Sequence, residues 1–277
     1  MKISIVTPSL NSKDFIEDAI QSVLRQRYHD FEHIVVDGGS KDGTQEILRR
    51  YAHVKWISEP DKGQSDALNK GVSMSNGDVI GWLNADEYYL PGAFTDVEDF
   101  LRKEPEAEMV YGCCIFVDSI GRFQRLKWEH KFDPKILLYY GCHIPSCATF
   151  FNSRMVKENP LDVAYDYVMD FEYFLRLASQ GRVIRFLEKP LSAFRWHDSN
   201  KSRVTPHRTK LELRRVQHKW TGFNSSDRIF SALALIYKAK RILLKTLNRG
   251  YWKETVAKSY RNRDTRWFFS EEASECC

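Results

Sequence analysis

Residues 77–93 read GDVIGWLNADEYYLPGA, and the fold is decided by how this stretch is read. Residues 79–83 form a short, near-continuous apolar run, which predicts a strand covered on both faces. Asn84, Ala85, Asp86 and Glu87 follow at once, and Pro91 with Gly92 closes the segment. Side-by-side carboxylates at a strand end raise each other's cost unless a cation is present. A bound divalent ion is the simplest explanation of that turn.

Upstream, residues 3–7, 33–36 and 54–58 have the same short, strand-like character. Between them, apolar residues recur at helical spacing: Ile16, Ile20, Val23 and Leu24, then Ile47, Leu48 and Tyr51, then Ala67, Leu68 and Val72. This alternation predicts an α/β chain with a mostly parallel, Rossmann-like sheet and flanking helices. Ligands of such sheets bind beyond the carboxyl ends of the strands. Those ends read Thr7-Pro8-Ser9-Leu10-Asn11, Asp37-Gly38-Gly39-Ser40 and Glu59-Pro60-Asp61-Lys62-Gly63. Backbone needs alone explain any single polar turn, and Asp42-Gly43 is read that way; they do not explain Asn84 to Glu87. The lack of a G-x-G-x-x-G after the first strand and of a G-x-x-x-x-G-K-[ST] argues against a dinucleotide oxidoreductase and a P-loop NTPase. A nucleotide bound through a metal fits what remains.

Downstream, residues 110–151 read as mixed strands and loops, and residues 167–180 as a helix. That helix carries Phe171, Phe174, Leu175 and Ala178 on one side and stops at Gly181. A long basic helical region follows from Pro206. The 277 residues, 43% hydrophobic and 29% charged, suit a soluble globular protein of one large α/β domain or of a domain plus an appendage. The uncharged apolar run at residues 230–237 is well short of the roughly 20 residues a membrane-spanning helix needs. The apolar stretch in residues 1–11 is cut off by Pro8 and shows no small-residue cleavage site, so no secretory signal and a cytoplasmic location are expected. Six cysteines, Cys113, Cys114, Cys142, Cys147, Cys276 and Cys277, form no C-x-x-C pair and read as reduced thiols. Zinc on Cys142, His143 and Cys147 would lack a fourth ligand with any sequence signal.

The segments TPSLNSKDFIEDAIQSVLRQ, FEHIVVDGGSKDGT, EPDKGQSDALNKG and GDVIGWLNADEYYLPGA resemble, in order and spacing, bacterial family 2 glycosyltransferases of the GT-A fold. The likeness returns in residues 144–151, in MDFEYFLRLA and in FRWHDSNKS. It implies a catalytic domain over residues 1–205 and a basic helical C-terminal extension over residues 206–277. It further implies that Pro8, Ser9, Asn11, Glu17 and Asp37 form the base and ribose pocket, and that Lys62, Gly63, Ser65 and Asp66 line the donor side. Asn84 and Ala85 would border the donor, and Asp86, Glu87 and His197 would hold Mn²⁺ or Mg²⁺ against its diphosphate. Asp170 matches the family's general base.

The sequence departs from the family at Leu10, where an aromatic residue is common, and at Asn84 and Glu87, where the motif usually carries aspartates. No Q-x-x-R-W segment is present, which argues against a processive polymer synthase. The function implied is metal-dependent, inverting transfer from a nucleotide-diphosphate sugar, a UDP-sugar first among them, to a saccharide or lipid-linked hydroxyl in surface polysaccharide or glycolipid biosynthesis. The alternative is a non-catalytic nucleotide-sugar binding protein. A glycoside hydrolase also uses two carboxylates but needs neither a metal turn nor a nucleotide pocket. Taken without the resemblance, Asp170 reads equally as a helix-end carboxylate or an ion-pair partner of Arg176, and His197 as a packing histidine.

Residues 201–264 hold 17 lysines and arginines against 4 acidic residues, although the whole chain nets only +5. Ile229, Leu233, Ile236, Ile242 and Leu243 can fall on one helical face. Two readings stand: an interfacial helix on an anionic membrane, at the inner face of the plasma membrane, or a helical hairpin packed on the domain with a solvated basic face. Nucleic acid is not expected, since no groove-reading motif accompanies the charge.

Overall fold

The computed structural model describes residues 1–265; Cys276, Cys277 and the end of the expected extension lie outside the described residues. The first half alternates β1 (Ile3–Ser9), α1 (Ile16–Leu24), β2 (Phe31–Asp37), α2 (Thr44–Leu48), β3 (Val54–Ser58), α3 (Gln64–Met74) and β4 (Val79–Trp82). There follow β5 (Tyr88–Tyr89), α4 (Ala93–Lys103), β6 (Met109–Val117), β7 (Phe123–Lys127), α5 (Pro134–Tyr140), β8 (Thr149–Asn152), α6 (Ser153–Glu158), α7 (Met169–Ser179) and β9 (Ile184–Arg195). The tail forms α8 (Lys201–Val204), α9 (Pro206–Thr221), α10 (Arg228–Leu247) and α11 (Gly250–Val256).

The strands make one sheet in the order β3-β2-β1-β4-β8-β6-β9-β5, with β7 paired to β6. It is parallel from β3 through β4, where the polar turns lie. Beyond, β8 runs antiparallel to both β4 and β6, and β6 is again parallel to β9. The chain steps outward from β1 to β3 and returns on the other side of β1 as β4. The order therefore reverses between β1 and β4, and a crevice opens beyond their carboxyl ends. Thr7 to Asn11 and Asn84 to Glu87 leave from those two ends.

Side chains alternate across the sheet as the period of two requires. Ile3 and Ile5 pack with Ala19 and Val23 of α1 and with Phe94 and Val97 of α4. Val6 and Ile80 meet Leu68 and Val72 of α3 and, deeper, Phe174 and Leu177 of α7. Gly71 lets α3 sit this close to β1, because a Cβ there would fall 2.3 Å from Val6 Cγ1.

The tail is bound to the body at several points. Val216 of α9 is buried in the same core as Phe171 and Phe174, and Gln217 Nε2 donates to Leu138 O of α5 at 3.1 Å. The Glu212 carboxylate accepts the backbone N–H groups of Asp166, Tyr167 and Val168 at 3.0, 2.6 and 2.8 Å, fixing the approach to α7. On α10, Tyr237 stacks on Tyr139 of α5, and both Glu129 oxygens accept from Arg241 Nη2 at 3.0 Å.

Candidate functional site

At the β1 and β2 ends, the side chains expected in the nucleotide pocket mostly join one loop to the next. Pro8 is paired within the sheet, and Ser9 is buried with a hydroxyl that has no partner among the described residues. Such an orphan calls for a ligand or water. Asn11 adopts φ 49°, receives the Lys41 N–H at Oδ1 (3.0 Å) and donates its own N–H to Ser40 Oγ (2.6 Å). Asp37 is fully buried and accepts from Ser40 N at 2.9 Å, from Ser58 Oγ at 2.6 Å and from the Ser40 hydroxyl. It thereby braces the ends of β2 and β3. Gly38 lies under Asp61 and Leu10: a Cβ there would stand 2.8 Å from Asp61 Oδ2 and 3.4 Å from Leu10 Cδ1. Glu17 sits on α1, held by Tyr51 Oη at 2.5 Å and Arg50 at 3.5 Å.

At the start of α3, Gly63 takes φ 104° and its N–H donates to Asp61 Oδ1 at 2.8 Å, while the Lys62 N–H reaches Asp66 Oδ2 at 3.0 Å. Asp166 approaches Gly63 and is paired with Lys201 of α8, so the loop before α7 and the first tail helix close on this corner. Ser65, expected to line the donor, is buried and donates to Tyr165 O at 3.3 Å. Its side chain fastens α3 to the loop before α7.

In the β4 turn, Asn84 Oδ1 accepts Gln64 Nε2 at 2.6 Å and Trp82 Nε1 at 2.8 Å, and Ala85 is buried against Ile16 and Ile20. Asp86 keeps its carboxylate at the surface edge. His197 Nε2 lies 2.9 Å from Asp86 Oδ2, although 111 residues separate them in the chain. Three further residues, not anticipated from the sequence, build this pair. Asn200 donates to Asp86 Oδ2 at 3.2 Å and accepts the His197 N–H at 2.6 Å. Arg195 donates to Asp86 O at 3.1 Å and to Ser119 O at 2.9 Å, and pairs with Asp18 of α1. The Phe15 ring lies 4.5 Å from the His197 ring, tilted by 34°, and beneath the Arg195 guanidinium. The motif FRWHDSNKS contains the signal, since an Asn three residues after a His at a strand end is suited to fold back on it.

Glu87 corrects an expectation. Its side chain turns inward and is 1% exposed, with Oε2 accepting the Asn84 N–H at 3.1 Å. Burial, and after it the Asp86 charge, pushes its pKa well above the ordinary range. Residues 84–87 form a tight turn closed by the Glu87 N–H on Asn84 O at 3.1 Å, which leaves Asp86 at the edge while Glu87 re-enters the core toward β5. It supports the turn's backbone from beneath and is not beside His197.

The zinc trio also separates. Cys147 accepts from Ser192 Oγ at 3.1 Å, Cys142 Sγ lies 3.7 Å from Asp170 Oδ2, and His143 stacks on His130 at 4.7 Å. Glu129, His130 and His143 do stand close enough to surround an ion. However, Arg241 already occupies both Glu129 oxygens and Lys127 lies 3.9 Å away, so a divalent cation there would face a guanidinium in a buried pocket.

Asp170 stands in the first turn of α7, partly buried, with Oδ1 taking the Phe171 N–H at 2.7 Å. Burial raises its pKa above the usual aspartate value. Arg176, the alternative ion-pair partner, instead binds Glu172 at 3.3 Å. Among the described residues no ion pair to the Asp170 carboxylate is made, and Cys142 Sγ lies 3.7 Å from its Oδ2.

The sequence profile described as Glycosyl transferase family 2 matches residues 4–161. An uncharacterized glycosyltransferase of Mycobacterium tuberculosis is 30% identical over 181 residues, covering 64% of this chain and 68% of that one. Among solved structures, S. aureus TarS in complex with UDP-GlcNAc superposes with TM-score 0.61 at 18% identity, over 78% of this chain and 65% of that one. A mannosyltransferase from Pyrobaculum calidifontis in complex with GDP-Man and Mn²⁺ superposes with TM-score 0.55 at 15% identity, over 98% of this chain and 84% of that one. The shared architecture is the GT-A fold.

Proposed function

From the premise that the chain belongs to glycosyl transferase family 2, we propose that it moves a sugar from a nucleotide-diphosphate donor to a hydroxyl acceptor with inversion at the anomeric carbon. The observation carrying this reading is the Asp86–His197 pair, at 2.9 Å, beside the point where strand order reverses between β1 and β4. The orphan Ser9 hydroxyl and the Gly38–Asp61–Leu10 corner support a nucleoside on the β1 and β2 side of the same edge.

The residues fit a divalent ion: a carboxylate and an imidazole on one spot are an ordinary donor set, and the imidazole favours Mn²⁺ over the oxygen-seeking Mg²⁺. Asp86 and His197 would hold it, and when bound it supplies positive charge against the leaving diphosphate. Asn200 orients the Asp86 carboxylate, and Arg195 fixes the Asp86 backbone against α1. Asp170 takes the proton from the acceptor hydroxyl at its carboxylate as that oxygen attacks. One base acting on the face opposite the leaving group gives direct displacement and inversion. Donors of the UDP and GDP type are the first to examine, because the two structural neighbours carry them. A saccharide or lipid-linked acceptor in surface polysaccharide or glycolipid synthesis is the proposed setting.

The deciding experiment incubates the protein with labelled UDP- and GDP-sugars, Mn²⁺ and saccharide acceptors, and determines the anomeric configuration of the product. Asp170→Asn should abolish transfer while leaving nucleotide binding intact. Nucleotide-sugar binding without turnover on any acceptor would favour the non-catalytic alternative, and retention would overturn the single-base mechanism.

A further inference from the structure

α10 is amphipathic in an inverted sense. The side packed on the body carries the charged residues Arg241 and Lys245, held by Glu129 at 3.0 Å and Glu254 at 2.6 Å, beside the aromatic contacts of Phe230 and Tyr237 with Tyr139. The side turned away carries Ile229, Leu235, Ile236, Ile242, Leu243 and Leu247, each between 45% and 71% exposed. Between them lie only Ala232, Ala239 and Thr246, which are exposed as well. At 100° per residue these positions share one sector, and no charged residue falls in it from Ile229 to Leu247. Lys238 borders the sector on one side, and on the other Lys240 turns back to pair with Asp133. Immediately after Leu247, α11 exposes Tyr251, Trp252 and Val256, with Arg249 and Lys258 exposed around them.

A helix face some 30 Å long with this composition is larger than the scattered apolar residues of an ordinary surface. No described helix is long and apolar enough to cross a membrane, so the face does not belong to a span. We infer that α10 and the start of α11 lie on an anionic lipid surface, with the apolar sector in the acyl boundary and the exposed Lys238, Arg249 and Lys258 against the headgroups. The charge favours lipid over a second copy of this chain. Residues 228–258 hold 8 basic against 1 acidic residue, so two such faces brought together would set like charges against each other, whereas an anionic bilayer complements both the apolar sector and its rim. Trp252 and Tyr251, each with an apolar body and a polar tip, suit the headgroup level. The inference rests on this face alone and stands independently of the transfer reaction.

The test is co-sedimentation of the full chain with vesicles of phosphatidylcholine alone and of phosphatidylcholine mixed with phosphatidylglycerol, at low and high salt. Binding is expected to the mixed vesicles and to weaken with salt. The double variant Ile236→Asp/Leu243→Asp should lower it by roughly tenfold or more. Both sites are exposed, so the variant should keep its melting temperature and nucleotide binding, which separates loss of the face from loss of the fold. Absence of binding to the mixed vesicles, or binding the double variant retains, overturns the inference. So does a dimer seen by light scattering without lipid and abolished by the same variant, which would assign the face to a second copy.

Discussion

His197 Nε2 and Asp86 Oδ2 stand 2.9 Å apart, joined from the end of β9 and the end of β4 across the carboxyl edge of the sheet. A two-point site of this kind loses most of its hold on an ion when either point is removed. Asp86→Ala, and separately His197→Ala, should lower Mn²⁺-dependent binding of UDP or GDP by about 100-fold in calorimetry, or about 3 kcal/mol. Asn200→Ala, which removes only a partner of the carboxylate, should cost about 10-fold to 100-fold. Equal, metal-independent affinities in all three variants would remove the pair from the donor site.

Glu87 provides the internal control. Its side chain lies under the turn, with Oε2 on the Asn84 N–H, and is sealed from solvent. Glu87→Gln preserves size and an acceptor for that N–H, so nucleotide and Mn²⁺ affinities should stay within about twofold of the parent and the melting temperature should not fall. A metal-affinity loss comparable to that of Asp86→Ala would show that Glu87 turns outward when the ion binds.

These two carboxylates show what was legible in the sequence. The strands and their polar ends could be read because parallel, twice-covered strands are short apolar runs and because the turns depart from simple backbone chemistry. The direction of each side chain within a turn could not be read: Asp86 and Glu87 are chemically alike and differ only in which side of the chain they occupy. Arg195 and Phe15 were missed because they act on Asp86 and His197 through contacts that the closed sheet creates. The tail shows the same limit. Periodicity placed Leu233 with Ile229 and Ile236, but Arg241 and Lys245 are drawn inward by Glu129 and Glu254, which rotates the helix and leaves Leu235 and Leu247 outside.

Glu32 gives a stability test away from the site. Its carboxylate accepts from Ser4 Oγ and Asn76 N at 2.6 Å and from Lys55 Nζ at 2.7 Å. Burial works against the charge, but the Lys55, Ser4 and Asn76 hydrogen bonds outweigh it and hold the pKa at about 2. A depressed carboxylate stabilises the fold above its unfolded pKa, and that contribution disappears as pH falls through the folded value. Glu32→Gln should therefore cost about 2 kcal/mol at pH 7. In urea unfolding the gap to the parent should narrow steadily below about pH 4.5 and close near pH 2. A gap independent of pH would assign the loss to packing.

Asp170 is where stability and function pull in opposite directions. Burial raises its pKa, which means the folded protein binds that proton more tightly than the unfolded chain does. With the carboxylate charged, the fold is penalised; as pH falls through the raised pKa the penalty is relieved, the reverse of the Glu32 case. Asp170→Asn removes the charge while keeping the shape and an oxygen for the Phe171 N–H, so at neutral pH its melting temperature should equal or exceed the parent's. Transfer, in contrast, needs the charged form. The parent's kcat/KM should fall on the acid side with an apparent pKa above the usual aspartate value, and the variant should lose activity by at least about 100-fold. A pH–rate profile beside a melting curve separates the two effects. An Asp170→Asn variant that is less stable than the parent and still active would show that the carboxylate is an ordinary helix-end group, and that the acceptor's proton leaves by another route.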